Sequence, residues 1–147
     1  MGREQTVRIR PMAHILIVDD EREVVELLKF TLGMIGYKVS TAFDGAEALA
    51  VLGIEPAAAN VPLPDIVVMD MRMPVMDGLT AAGRMAADPR AKAVPVIVLT
   101  GDGGESRQVV ARLPNVVGQL QKPFEPKTLR ALIAEKLPPA PPEVNRA

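Results

Sequence analysis

Short apolar runs alternate along this chain with longer stretches in which apolar residues recur every three or four positions. HILIV (14 to 18) carries four aliphatic residues in succession, as a strand buried on both faces requires. From Glu21 to Ile35, the residues Val24, Val25, Leu27, Leu28, Leu32 and Ile35 fall at helical spacing with charges between them, and Gly33 and Gly36 mark the stop. Residues 37 to 42 read as a second strand, and Asp44-Gly45 turns into a short helix through about Leu52. DIVVM (65 to 69) is a third strand ending at Asp70, and Asp77-Gly78 opens a helix with Leu79, Ala82 and Met85 on one side. VPVIVL (94 to 99) is a fourth strand. An amphipathic helix around Ser106 to Leu113, a strand from Val116 to Leu120 and a last helix from Pro126 to Leu137 complete the pattern.

Five alternations of strand and helix predict a parallel sheet covered on both faces, with right-handed crossovers. The 147 residues, 48% of them hydrophobic, suffice for one good core, so the expected organisation is one domain with tails. Residues 1–12 read as a flexible extension, 13–137 as the domain, and 138–147 (PPAPPEVNRA) as an extended Pro-rich tail. GIEPAAANVPLP (53 to 64), with three prolines, is longer than a usual helix-to-strand connection and reads as a local insertion.

Composition narrows the function. A net charge of -1 from 17 basic and 18 acidic residues predicts no general attraction to nucleic acid or anionic membrane. The chain has no cysteine, which excludes disulfides and thiolate metal sites. The leading segment lacks the apolar stretch of a secretory signal, and no run approaches the roughly 18 apolar residues of a membrane span, so a cytoplasmic protein is expected. With aromatic content at 3%, the 8 methionines read as core filling, including Met69, Met71, Met73 and Met76 around Asp70.

The chemistry lies where the apolar runs stop. The first ends in Asp19 and Asp20, the third in Asp70, the fourth in Thr100 and the fifth in Lys122. In an open parallel sheet the ligand crevice lies outside the carboxyl ends of the strands, so these five side chains should converge. Three clustered carboxylates repel one another unless a cation intervenes, and Mg²⁺ is the divalent ion that commonly uses one or two carboxylates together with water and phosphate oxygens. Helix capping would account for one of Asp19 and Asp20 but hardly both. Asp70 is then either a third ligand or a nucleophile that forms an aspartyl-phosphate, with Thr100 and Lys122 binding the phosphoryl oxygens.

HILIVDDE, VVMDMRMPVMDG, VIVLTG and QKPF, in this order, resemble the signatures of the response-regulator receiver domains of two-component signalling, over about residues 13 to 137. The resemblance implies a flavodoxin-like (βα)5 fold with strand order 2-1-3-4-5. It implies that Asp70 accepts a phosphoryl group from a histidine kinase or histidine phosphotransfer protein. Asp20 and Asp70 would bind Mg²⁺ directly, Asp19 mainly through water, and the backbone carbonyl of Arg72 would add a ligand. Thr100 and Lys122 would contact the phosphoryl group, and Lys122-Pro123 would be a cis peptide. The partners implied are that phosphodonor and a downstream effector protein, with a homodimer formed on phosphorylation compatible with both. Such a chain is a signalling acceptor and no enzyme beyond its own phosphorylation and dephosphorylation.

The chain departs from the family pattern at Gln119, three residues before Lys122, where receivers usually carry an aromatic residue that swings inward on activation. Either a polar residue is tolerated there, or output runs through the loops at 71 to 77 and 101 to 106. Arg72 and Asp102 could pair across the cleft mouth and hinder the attacking water, or be two solvated charges. His14, the single histidine, begins the first strand and reads as structural, and the GDGG run (101 to 104) reads as a flexible turn. Two alternatives carry other functions: an aspartate-nucleophile phosphohydrolase, which would place its second aspartate two residues after the first, and a receiver used only as a scaffold.

Overall fold

The computed structural model describes residues 10, 12–101 and 112–140. In these residues five strands, β1 (His14–Val18), β2 (Lys38–Ala42), β3 (Ile66–Asp70), β4 (Val96–Thr100) and β5 (Val116–Gln121), form one sheet. Its order is β2-β1-β3-β4-β5, and every neighbouring pair runs parallel. The described helices are α1 (Arg22–Met34), α2 (Gly45–Val51), α3 (Gly78–Ala87) and α4 (Pro126–Lys136). The fold class, strand order and cis Lys122-Pro123 bond match the expectation. Most of the helix expected at Ser106 to Leu113 lies outside the described residues.

The side-chain period of two divides each central strand between two cores. Ile15, Ile17, Ile66, Val68, Ile97 and Leu99 pack with Val25, Leu28 and Leu32 of α1 and Leu129 and Ile133 of α4. Leu16, Val18, Val67, Met69, Val96 and Val98 face the other way, onto Ala48 and Leu49 of α2 and Ala81, Ala82 and Met85 of α3. This double burial explains why these strands read as unbroken apolar runs. β5 is half-exposed, and a register irregularity against β4 between Val96 and Ile97 leaves Val117 turned partly to solvent. The insertion loop is pinned to α3 and the turn after it, where Arg84 pairs with Glu55 and Arg90 donates to the Val61 carbonyl.

At the amino ends of the strands, both ends of the described chain are tied together. Arg10 donates to the Pro138 carbonyl at 3.2 Å and pairs with Asp65 at 3.2 Å, while the other Asp65 oxygen accepts the His14 N–H at 2.7 Å. Met12 adds a backbone bond to Gly36. His14 Nε2 lies 2.7 Å from Ser40 Oγ, and burial, with Lys38 nearby, lowers its pKa, consistent with a structural residue. Asp65→Ala leaves a strand N–H and a guanidinium without their acceptor and is expected to cost about 1 to 3 kcal/mol. A lower urea midpoint at unchanged slope reads that loss, and an unchanged midpoint would show the clasp to be energetically idle.

Candidate functional site

The strand order decides what meets at the carboxyl ends. β1 lies beside β3, so Asp19 and Asp20 come to Asp70, fifty positions on in sequence. Carboxylate oxygens of Asp19, Asp20 and Asp70 all lie within 4.8 Å of one another. Asp19 is fully buried, Asp70 is 6% exposed and Asp20 is exposed. Lys122 reaches in from the end of β5, its Nζ 2.8 Å from Asp19 Oδ2 and 3.4 Å from Asp70 Oδ2. Its backbone N–H donates to the Thr100 carbonyl at 2.7 Å, joining it to the end of β4, where Thr100 itself is buried. The expected side chains thus occupy neighbouring strand ends of one sheet.

The capping alternative does not describe the structure. The N-cap of α1 is Glu21, with no side-chain cap bond, and Asp19 Oδ1 instead accepts the Glu21 N–H at 3.0 Å just before the helix. Asp19 therefore has one oxygen on a backbone donor and the other on Lys122. Asp70 also meets Lys122 and the Arg72 N–H, while Asp20 is the exposed member of the cluster.

Crowding of negative charge shows in the acidities. Burial, then the charge of Asp19, raises the Asp70 carboxyl to about 6, although Lys122 and the Arg72 N–H oppose the rise. Burial alone would lower the Lys122 ammonium, but hydrogen bonds to Asp19 and Glu21 and the charges of Asp70 and Asp19 hold it above its usual value. One ammonium set against Asp19, Asp70 and Glu21, with Asp20 clustered beside the first two, leaves a net negative hollow of hard oxygens. That donor set fits Mg²⁺.

Two contributors escaped the sequence reading. Glu21 looks like the start of a helix, yet its carboxylate accepts from Lys122 at 2.9 Å. Gly78 looks like a helix opener, yet a Cβ there would sit 2.1 Å from the Asp70 carbonyl oxygen. The Gly78 N–H donates to Met71 at 3.0 Å and the Gly45 N–H to Met76 at 3.0 Å, which fixes the 71 to 77 loop over the site. At its tip Val75 is exposed with φ 71, an uncommon conformation for a β-branched residue. Asp102, the proposed partner of Arg72, lies outside the described residues, as does most of the GDGG run.

A doubly wound parallel sheet with paired acids after its first strand, an acid after its third and a lysine after its fifth defines a phosphoacceptor class of signalling domain. The response regulator receiver domain model matches residues 15–134, and the chain belongs to that family. The chemotaxis protein CheY1 of Helicobacter pylori (strain J99) is 33% identical over 117 residues, covering 79% of this chain and 90% of that protein. A probable transcriptional regulator ycf27 of Guillardia theta is 37% identical over 119 residues, covering 81% of this chain but 43% of its own length. The chain thus spans less than half of that regulator. Among solved structures, the receiver domain of sensor histidine kinase PA1611 from Pseudomonas aeruginosa, with a magnesium ion coordinated in its active-site cleft, superposes with TM-score 0.70 at 26% identity. It covers 84% of this chain and 96% of that one. Receivers are signalling domains and no catalytic enzyme family, which sets the phosphohydrolase alternative aside.

Two outcomes follow from this geometry. Because the folded Asp70 carboxyl titrates near 6 against 3.8 ordinarily, the native state binds the extra proton between those values. The group therefore lowers stability above about pH 6 and ceases to do so as pH falls toward 4. Without divalent metal, Asp70→Asn should be more stable than wild type at pH 7 by about 1 to 3 kcal/mol, the gap closing toward pH 4 in urea titrations. A constant gap would contradict the shifted carboxyl. Gly78→Ala should displace the Asp70 carbonyl or the loop and lower the melting temperature by several degrees, on the order of a 1 to 3 kcal/mol overpacking cost.

Proposed function

We propose that the chain is a phosphorylation-operated switch in which Asp70 takes a phosphoryl group from the phosphohistidine of a histidine kinase or histidine phosphotransfer protein. The observation that carries this reading is the position of Asp70: nearly buried, clustered with two further acids and within 3.4 Å of the Lys122 ammonium. The ionised Asp70 oxygen forms the new P–O bond while the donor's P–N bond breaks, and the imidazole leaves with its electron pair. Lys122 and the Thr100 hydroxyl meet the phosphoryl oxygens, where a fixed cation and donor act most strongly on developing charge. Asp20 and Asp70 would hold Mg²⁺ directly, Asp19 through water, and the Arg72 carbonyl would complete the protein ligands. Bound there, the ion supplies charge neutralisation at the transferring group.

Switching follows from differential contacts: the phosphorylated state rewards positions of Thr100 and Lys122 that the resting state does not. β4 and β5, which carry them, transmit the change to a surface read by a downstream protein or by a second copy of the chain. Gln119 on β5, paired in register with Val98, supplies no aromatic rotamer for this route. Beside Lys122 a groove of about 400 Å³ is lined by Val24, Leu27, Leu28, Pro123, Phe124 and Pro126, apolar surface suited to a protein phosphodonor. A protein partner also agrees with the near-zero net charge, and none of the described helices is long and apolar enough to cross a membrane. A cytoplasmic location belongs to this reading.

Incubation with acetyl phosphate and Mg²⁺ should add one phosphoryl group by intact mass, labile to hydroxylamine. The adduct should be absent from Asp70→Asn and from wild type in excess EDTA. An unmodified wild type would leave the scaffold alternative in possession, and rapid turnover of many phosphate esters would revive hydrolysis.

A further inference from the structure

Glu21 stands outside the roles assigned above. Its carboxylate crosses from the β1–α1 junction to the β5–α4 loop and accepts from Lys122 Nζ at 2.9 Å. The same ammonium donates to Asp19 at 2.8 Å, whereas Asp70 is 3.4 Å away. Two of its three carboxylate partners thus draw Lys122 toward β1, and the acceptor is the most distant of the three. The Glu21 side chain is 61% exposed, so the contact is solvated and modest, suited to being released.

A phosphoryl group on Asp70 moves the charge that Lys122 must meet outward from that carboxylate. An ammonium tied to Glu21 has to stretch or leave that bond to follow. We propose, resting on the reading of Asp70 as phosphoacceptor, that Glu21 is a latch on Lys122: it stabilises the resting ammonium and so opposes the phosphorylated state. A two-state equilibrium shifts only by the difference in contacts between its states, and this contact belongs to one of them. Glu21 is a positioning residue, acting through Lys122 and touching no reacting atom.

Beryllofluoride, which forms a phosphoryl-like adduct, can be titrated into the full chain in excess Mg²⁺ and followed by backbone amide resonances. Glu21→Gln should lower the half-saturating concentration about two- to fivefold, the scale of an exposed ion pair, and the difference should shrink in high salt. In a Lys122→Met background the same change should have no effect. In the protein without beryllofluoride, the Lys122 ammonium resonance should move in Glu21→Gln, a signature that needs no adduct and decides the matter if Lys122→Met forms none. Unchanged half-saturation with an unmoved ammonium signal overturns the latch. So does an equal shift in both backgrounds, which would mean that Glu21 acts on the anion directly. A wild type that forms no adduct at Asp70 overturns the phosphoacceptor reading and the latch together, whereas a normal adduct with a silent Glu21→Gln removes the latch alone.

Discussion

The bond from Lys122 to buried Asp19 is the contact on which the acceptor end depends. A carboxylate with no exposed surface is costly unless a cation and hydrogen-bond donors satisfy it, and Asp19 has one of each, the Lys122 ammonium and the Glu21 N–H. Through that pair the end of β5 is held to the end of β1 across the intervening β3 and β4. Asp70 lies beside this pair, 3.4 Å from the same nitrogen. Removing the lysine would leave buried negative charge uncompensated, a far larger disturbance than the loss of one surface contact.

The sheet makes this crowding affordable. Its central strands are covered on both faces by largely aliphatic side chains, and the stability drawn from that burial tolerates an electrostatic defect at one end. The raised Asp70 carboxyl expresses that defect. Sites that must react are commonly places where local stability has been given up, and here the sacrifice is confined to the strand ends and the 71 to 77 loop.

Much of this was legible in the linear pattern. Strands buried on two faces leave unbroken apolar runs, and helices leave a three-to-four spacing, so β1, β3, β4 and α1 could be placed to within a residue or two. Asp19, Asp20, Asp70, Thr100 and Lys122 could be grouped because a parallel sheet puts all its carboxyl ends on one side. What the pattern did not disclose depends on distance and direction. Glu21 meets a lysine 101 positions away, and nothing in its neighbourhood distinguishes such a side chain from an ordinary first-turn glutamate. Gly78 signals a turn, but the 2.1 Å approach to the Asp70 carbonyl exists only once β3 and α3 are packed. Both Asp19 oxygens are occupied for the same kind of reason, through partners that only the fold brings to it.

The Arg10 clasp gives the fold a mechanical polarity. β1 starts and α4 finishes at the pole opposite the carboxylates, and Arg10 joins Pro138 to Asp65 there. A tether attached at either side of that clasp would load the base of the sheet as a single anchored foot. Such a tether would meet the sheet beside Arg10, Asp65 and Pro138, at the pole opposite the strand ends that carry Asp19, Asp70 and Thr100.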